Sequence, residues 1–164
     1  MIHDVAIRTA TIGDQQIVIA LLREVAANLQ KKGIDQWIPE EFTEEKIQEW
    51  LRDGDILLTF SQNKLAGCAV VTTYSNQLWA NRPHSAVYLS KLAVDIAFRG
   101  AGMSQKLLKS VEDWAAQRNR DTIRLDCWAG NDHLRKFYTE QGYRLVEIAP
   151  EETWQVALFE KQCN

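Results

Sequence analysis

The chain has 164 residues, 46% of them hydrophobic and 25% charged, which is enough to bury one core without covalent staples and is read as a single domain over residues 1–164. A formal charge of −3 excludes the basic footprint expected of a partner of nucleic acid or of an anionic membrane. The start Met1-Ile2-His3-Asp4-Val5 lacks a basic leader and no apolar run reaches membrane-spanning length, so a soluble cytoplasmic protein is expected.

Val5-Ala6-Ile7-Arg8 reads as a short strand, and Asp14 is placed to cap a helix on which Ile17, Leu21, Val25 and Leu29 recur until Gly33. Thr43 caps a second helix to about Leu51, closed by Gly54. Asp55 to Ser61 and Leu65 to Tyr74 form a hairpin across Gln62-Asn63-Lys64. Ser75 to Ser85 is a polar loop with Trp79, Arg82, Pro83 and His84, and Ala86 to Asp95 is the next strand. Met103, Leu107, Leu108, Val111, Trp114 and Ala115 give the following helix one broad apolar face. Thr122 to Trp128 alternates as a strand, and Ala129-Gly130-Asn131-Asp132 turns into a helix faced by Leu134, Phe137 and Tyr138 and stopped by Gly142. Tyr143 to Ile148 and Thr153 to Phe159 close the chain as a second hairpin. A helix between the fourth and fifth strands implies a parallel pair there, while the flanking hairpins are antiparallel. The result is an α/β chain with a mixed sheet. Its cysteines, Cys68, Cys127 and Cys163, are odd in number and lack CxxC spacing. Cys68 and Cys127 read as small buried hydrophobes, and no disulfide or metal is called for.

The run Ala97-Phe98-Arg99-Gly100-Ala101-Gly102-Met103-Ser104 joins the fourth strand to its helix. A helix start leaves its first amides unpaired and carries the positive end of the peptide dipoles. Gly100 and Gly102 remove side chains that would block close approach, and Arg99 adds a permanent cation, so the run is built to hold a diphosphate. It is not a P-loop, because Met103 and Ser104 follow Gly102 in place of Lys and Ser/Thr. It is not a dinucleotide fingerprint either, because Gln105 stands where the third Gly belongs.

What remains, Arg99-x-x-Gly102-x-Ser104, resembles the acyl-CoA pyrophosphate loop of the GCN5-related N-acetyltransferase (GNAT) family, with Ser104 in place of the usual Gly/Ala. A second segment, Asn131-x-x-Leu134-x-x-Phe137-Tyr138-x-x-x-Gly142-Tyr143, is similar to that family's Asn-x-x-Ala-x-x-Leu/Phe-Tyr-x-x-x-Gly-Phe signature. The opening Ile7-Arg8-Thr9-Ala10-Thr11-x-x-Asp14 resembles a start common in the family. The resemblance covers essentially the whole chain. It implies the family's fold: a mixed sheet whose parallel central pair splays for CoA, with helices on both faces. It also implies acetyl-CoA as co-substrate, an amine as acceptor and no metal; homodimers are frequent in the family, though no feature of the chain demands one. By resemblance CoA is held by the main chain of Leu92, Ala93 and Val94, by Arg99, Gly100, Ala101, Gly102, Met103 and Ser104, and by Asn131 and Phe137. Asn131 would bind the pantetheine arm, and the Tyr138 hydroxyl would sit at the thioester sulfur.

Acyl transfer needs donors for an oxygen that becomes anionic, a proton for the departing thiolate and a neutral attacking amine. Tyr138 is read as the acid, against the alternative of a core aromatic like its neighbour Phe137. Asp126, on the same strand face as Arg124 and Trp128, is read as the base, or as the structural partner of Arg124 or another cation. Glu40, Glu41, Glu44 and Glu45 form an acidic rim for an amine or a solvated helix start. His133 reads as solvent-facing, His84 as a loop residue bordering the substrate, and His3 as terminal. Trp37 and Trp79 either offer an apolar wall to the acceptor or pack as lids on their own domain. These readings describe an N-acetyltransferase acting on a small or peptide amine. Two others stand beside it: a non-catalytic acyl-CoA-binding module, and an unrelated nucleotide-binding α/β protein.

Overall fold

The computed structural model describes residues 5–83, 85–150 and 155–163. Its strands are β1 (Val5–Thr9), β2 (Gly54–Ser61), β3 (Lys64–Thr72), β4 (Ala86–Val94), β5 (Thr122–Trp128), β6 (Arg144–Pro150) and β7 (Gln155–Gln162). Its helices are α1 (Gln15–Lys31), α2 (Glu44–Asp53), α3 (Met103–Ala116) and α4 (Asp132–Glu140). The strands form one sheet in the order β1-β2-β3-β4-β5-β7-β6, with β4 and β5 parallel and the other neighbours antiparallel. The expected start of the last strand at Thr153 lies outside the described residues, as do His3 and His84. No helix among the described residues is long and apolar enough to cross a membrane.

Period-two alternation decides which layer each strand residue joins. Ile56, Leu58, Cys68 and Val70 face α1 and α2, where Val18, Leu22, Val25 and Ile47 meet them. Leu57, Ala69, Val71, Val87, Leu89, Ile123 and Leu125 face the opposite way and pack under α3 and around Tyr138. Gln62 and Asn63 adopt φ of 54° and 63°, as a two-residue hairpin requires. At the end of α2 the chain passes straight into β2 through Gly54, where a Cβ would stand 2.0 Å from the Val71 carbonyl oxygen. Glycine is there for close approach.

One local expectation changes, and one open alternative is decided. Asp14 sits at the start of α1 but makes no side-chain cap. Its carboxylate takes two hydrogen bonds from Arg8, at 2.8 and 2.9 Å, and one from the Thr11 amide at 2.7 Å. These hold it well below the usual carboxylate range. Trp79 is 1% exposed and packs with Ala86, Tyr88, Val156 and Leu158. Arg124 lies 5.0 Å from the Trp79 ring centre, and it pairs with Glu160 at 2.8 Å and donates to the Pro83 carbonyl and the Tyr88 hydroxyl. The 75–83 segment is thereby fastened to the sheet, and Trp79 is core.

Candidate active site

β4 and β5 stay paired over three positions only, Ala86 with Thr122, Val87 with Ile123 and Tyr88 with Arg124. Beyond them the strands part, and a cavity of about 850 Å³ opens between them. Part of the cause is a bulge in β4. Cys68 faces Ala93 and Val70 faces Ser90, so two residues, Lys91 and Leu92, oppose the single Ala69. The extra residue reverses the alternation: Val87 and Leu89 pack toward α3, then Leu92 and Val94 do, while Ala93 joins the α1 layer. Lys91 carries the distortion with φ 51°. The buried Cys68 thiol, pushed up to about 12 by burial, donates to the Lys91 carbonyl at 3.6 Å. A bulge interrupts the ladder, and this one does so on the strand that borders the cavity.

Most residues of the glycine loop read as a diphosphate site line the cavity. Asp95 accepts from the Ala97 amide at 2.9 Å and shapes the turn. Gly100 and Gly102 follow with φ of 80° and 77°, and α3 begins at Met103. Arg99, Gly100, Gly102, Met103 and Ser104 line the cavity, and Ala101 does not. A Cβ on Gly100 would meet nothing within 4 Å, and one on Gly102 only Gln105 at 4.0 Å. The space in front of the α3 amides is therefore open, which suits a phosphate group.

The start and inner face of α4 supply further lining. Asn131 is 5% exposed; its Oδ1 accepts from the Leu134 amide at 3.1 Å and its Nδ2 donates to Gln36 at 3.3 Å. Phe137 and Tyr138 also line the cavity. The Tyr138 ring packs against Phe137, Tyr143 and Phe159 at centre distances of 5.4, 5.7 and 5.9 Å. Its hydroxyl makes no hydrogen bond among the described residues, and burial pushes the phenol well above its ordinary value. The nearby Cys127 thiol is pushed up to about 11 by burial and the Asp126 charge.

Asp126 lies on the other face. Leu125 and Cys127 join the α3–α4 layer, so alternation turns Asp126 toward the α1–α2 side, where it is exposed and lines the cavity. The 33–37 connection reaches the same side through Ile34, Gln36 and Trp37. Of the two tryptophans read either as acceptor wall or as lids on their own domain, Trp37 lines the cavity, edge-on to Phe42 at 6.0 Å, and Trp79 does not. None of 75–83 does. His133 is exposed at the cavity margin, and Glu40, Glu41, Glu44 and Glu45 are exposed on or before α2. Among the described residues no group of three or more His, Cys, Asp and Glu is placed to hold a metal.

The sequence places Gln36 only within the 33–37 connection expected to border the acceptor, and it does not single out Lys91 at all. Gln36 offers no pattern, because its role is a contact across 95 positions of chain. Lys91 has one readable signal, the switch of apolar parity from Val87 and Leu89 to Leu92 and Val94.

Residues 22–143 match the Acetyltransferase (GNAT) family. The chain is 27% identical over 140 residues, 81% of its length and 78% of the relative's, to the uncharacterized N-acetyltransferase YesJ of Bacillus subtilis. A GNAT-family acetyltransferase of Listeria monocytogenes superposes with TM-score 0.76 at 23% identity, covering 96% of this chain and 94% of that one. The PaiA N-acetyltransferase of Thermoplasma acidophilum, in complex with coenzyme A, superposes with TM-score 0.75 at 19% identity, over 98% and 99%. At these identities the two structures speak for the fold.

Proposed function

The chain belongs to the Acetyltransferase (GNAT) family, and from that membership we propose that it moves the acetyl group of acetyl-CoA onto a primary amine by direct attack on the thioester. One observation carries the reading: a single cavity between the parted strands holds a phenol on one face and a carboxylate on the other. Acetyl-CoA supplies the activated acyl group. The open space at Gly100 and Gly102 and the α3 amides fit its diphosphate, with Arg99 as counter-charge. The bulged main chain of Leu92, Ala93 and Val94 offers N–H groups to the thioester oxygen as it gains charge.

Tyr138 holds the proton for the departing thiolate. Burial keeps its hydroxyl protonated throughout the physiological range, and the same dry setting raises the basicity of a thiolate beside it. The acceptor enters from the α1–α2 face. An alkyl ammonium with a pKa of about 10.4 is only ~0.1% neutral at pH 7, a cost of about 4–5 kcal/mol. Asp126 takes that proton directly or through water.

The test is thiol release from acetyl-CoA with a panel of amines, comparing the wild type with Tyr138→Phe. Loss of a positioned acid lowers turnover about 10²–10⁴-fold. The melting temperature should barely move, because the ring keeps its three aromatic neighbours and the hydroxyl gives up no hydrogen bond among the described residues. Wild-type turnover in the variant, with single-turnover rates also unchanged, would reject Tyr138 as the acid. CoA binding without release on any amine would point to a non-catalytic acyl-CoA module.

A further inference from the structure

The chemistry above leaves Lys91 without a task. Its left-handed backbone (φ 51°) is unfavourable for a residue with a Cβ, and bulges beside active sites serve to re-aim a side chain. Here the side chain is aimed into the cavity, with Nζ 5.7 Å from the centre of the Trp37 ring. Neither an ion pair nor a hydrogen bond engages that Nζ among the described residues. Partial burial lowers its pKa, with Asp126 and Glu41 raising it and Lys46 lowering it.

A half-buried ammonium lacking a bonded counter-ion is costly, and an anion brought by a ligand completes it. On the transferase reading the CoA phosphates have partners of their own in the α3 start and Arg99. Lys91 instead reaches Trp37 and the side where Asp126 stands. A cation and a carboxylate there match a molecule carrying both an ammonium and an anion.

Resting on the transferase reading, we propose that Lys91 binds a carboxylate of the acceptor, and that the acceptors are amino acids or similar amines with a carboxylate close to the reacting nitrogen. Asp126 faces the ammonium, Lys91 faces the carboxylate, and Trp37 walls the site.

The experiment uses matched pairs differing only in the carboxylate, leucine with isoamylamine and phenylalanine with phenethylamine. Wild type is compared with Lys91→Met, which keeps an unbranched stem. The carboxylate-bearing member is preferred in kcat/KM by about 10- to 100-fold in the wild type, as for loss of one charge-assisted hydrogen bond. Lys91→Met abolishes most of that preference. A wild-type ratio at or below one, or a ratio that Lys91→Met leaves intact, overturns the assignment while any turnover preserves the transferase reading. If no amine turns over, the transferase reading fails by itself, and thermal shifts of the CoA-loaded protein with the same pairs decide about Lys91. A shift specific to the carboxylate members and lost in Lys91→Met supports the site, and no such shift overturns it. Two further arms oppose the proposal. A Lys91-dependent preference for succinyl-CoA over acetyl-CoA with isoamylamine would move the carboxylate to the donor. An acetyl group on Lys91 itself, found by peptide mass spectrometry, would make it a nucleophile.

Discussion

Asn131 divides one amide between two tasks. Its oxygen caps α4 through the Leu134 amide, and its nitrogen donates to Gln36 across the cavity. An amide nitrogen has a second N–H, which is the group available to a pantetheine carbonyl. Asn131→Asp keeps the capping oxygen and removes both donors, so stability should fall only by the lost bond to Gln36, about 0.5–1.5 kcal/mol. CoA binding should weaken by about 0.5–1.5 kcal/mol, or about 2- to 12-fold. Asn131→Ala should lose the same affinity and about 1 kcal/mol of stability besides. Urea unfolding and titration calorimetry separate the two effects. Wild-type CoA affinity in Asn131→Asp would remove the pantetheine contact. The cap was legible from the turn residues before an apolar helix face; the bond to Gln36 was not, since nothing local marks a partner so distant in sequence.

The loop entering α3 works through backbone geometry. Gly102 holds φ 77° and has only Gln105 near its missing Cβ. Gly102→Val therefore meets no wall of protein, and its cost to folding is the left-handed backbone, about 1–2 kcal/mol. On the proposed reading its cost to CoA is larger, because the new side chain would stand where a diphosphate approaches the α3 amides. At least about tenfold weaker CoA binding is expected, the equivalent of one charge-assisted bond, measured by calorimetry on protein verified as folded by circular dichroism. Equal affinity would sink the phosphate reading of the loop. This element could be read in advance because glycine spacing and a helix start are local. The Ser75–Ser85 loop misled for the opposite reason. Its polar residues suggested a solvent loop near the acceptor, but buried Tyr88 and, far along the chain, Arg124 draw Trp79 into the core.

Across the whole molecule, β5, β7 and β6 join the rest of the sheet at β4 through three parallel positions. A ligand lying between the parted ends of β4 and β5 bridges the two parts. At about 100 times its dissociation constant CoA should add about 2.7 kcal/mol to stability, which for a chain this long is a rise of about 5–11 °C in melting temperature. Hydrogen exchange should slow with CoA at 89–94 and 125–128, on both sides of the gap. A melting temperature that does not respond to saturating CoA would reject the cavity as its site.

Alternation, caps and glycines are properties of neighbours in the chain. They determined the order of strands and helices, the parallel centre, the glycine turn that opens α3 and the helix that carries Asn131 and Tyr138. The period of two also placed Asp126 on the face opposite Leu125 before any fold was known. What it could not decide was depth. Arg124 and Asp126 share a face, yet one is buried with Glu160 while the other opens on the cavity, because the strands separate between them. That separation, the bulge that turns Lys91 inward and the seating of Trp37 at the cavity and Trp79 in the core arise where strands and loops distant in sequence compete for the same space. Burial is a property of the assembled layers, and only the tertiary structure sets it.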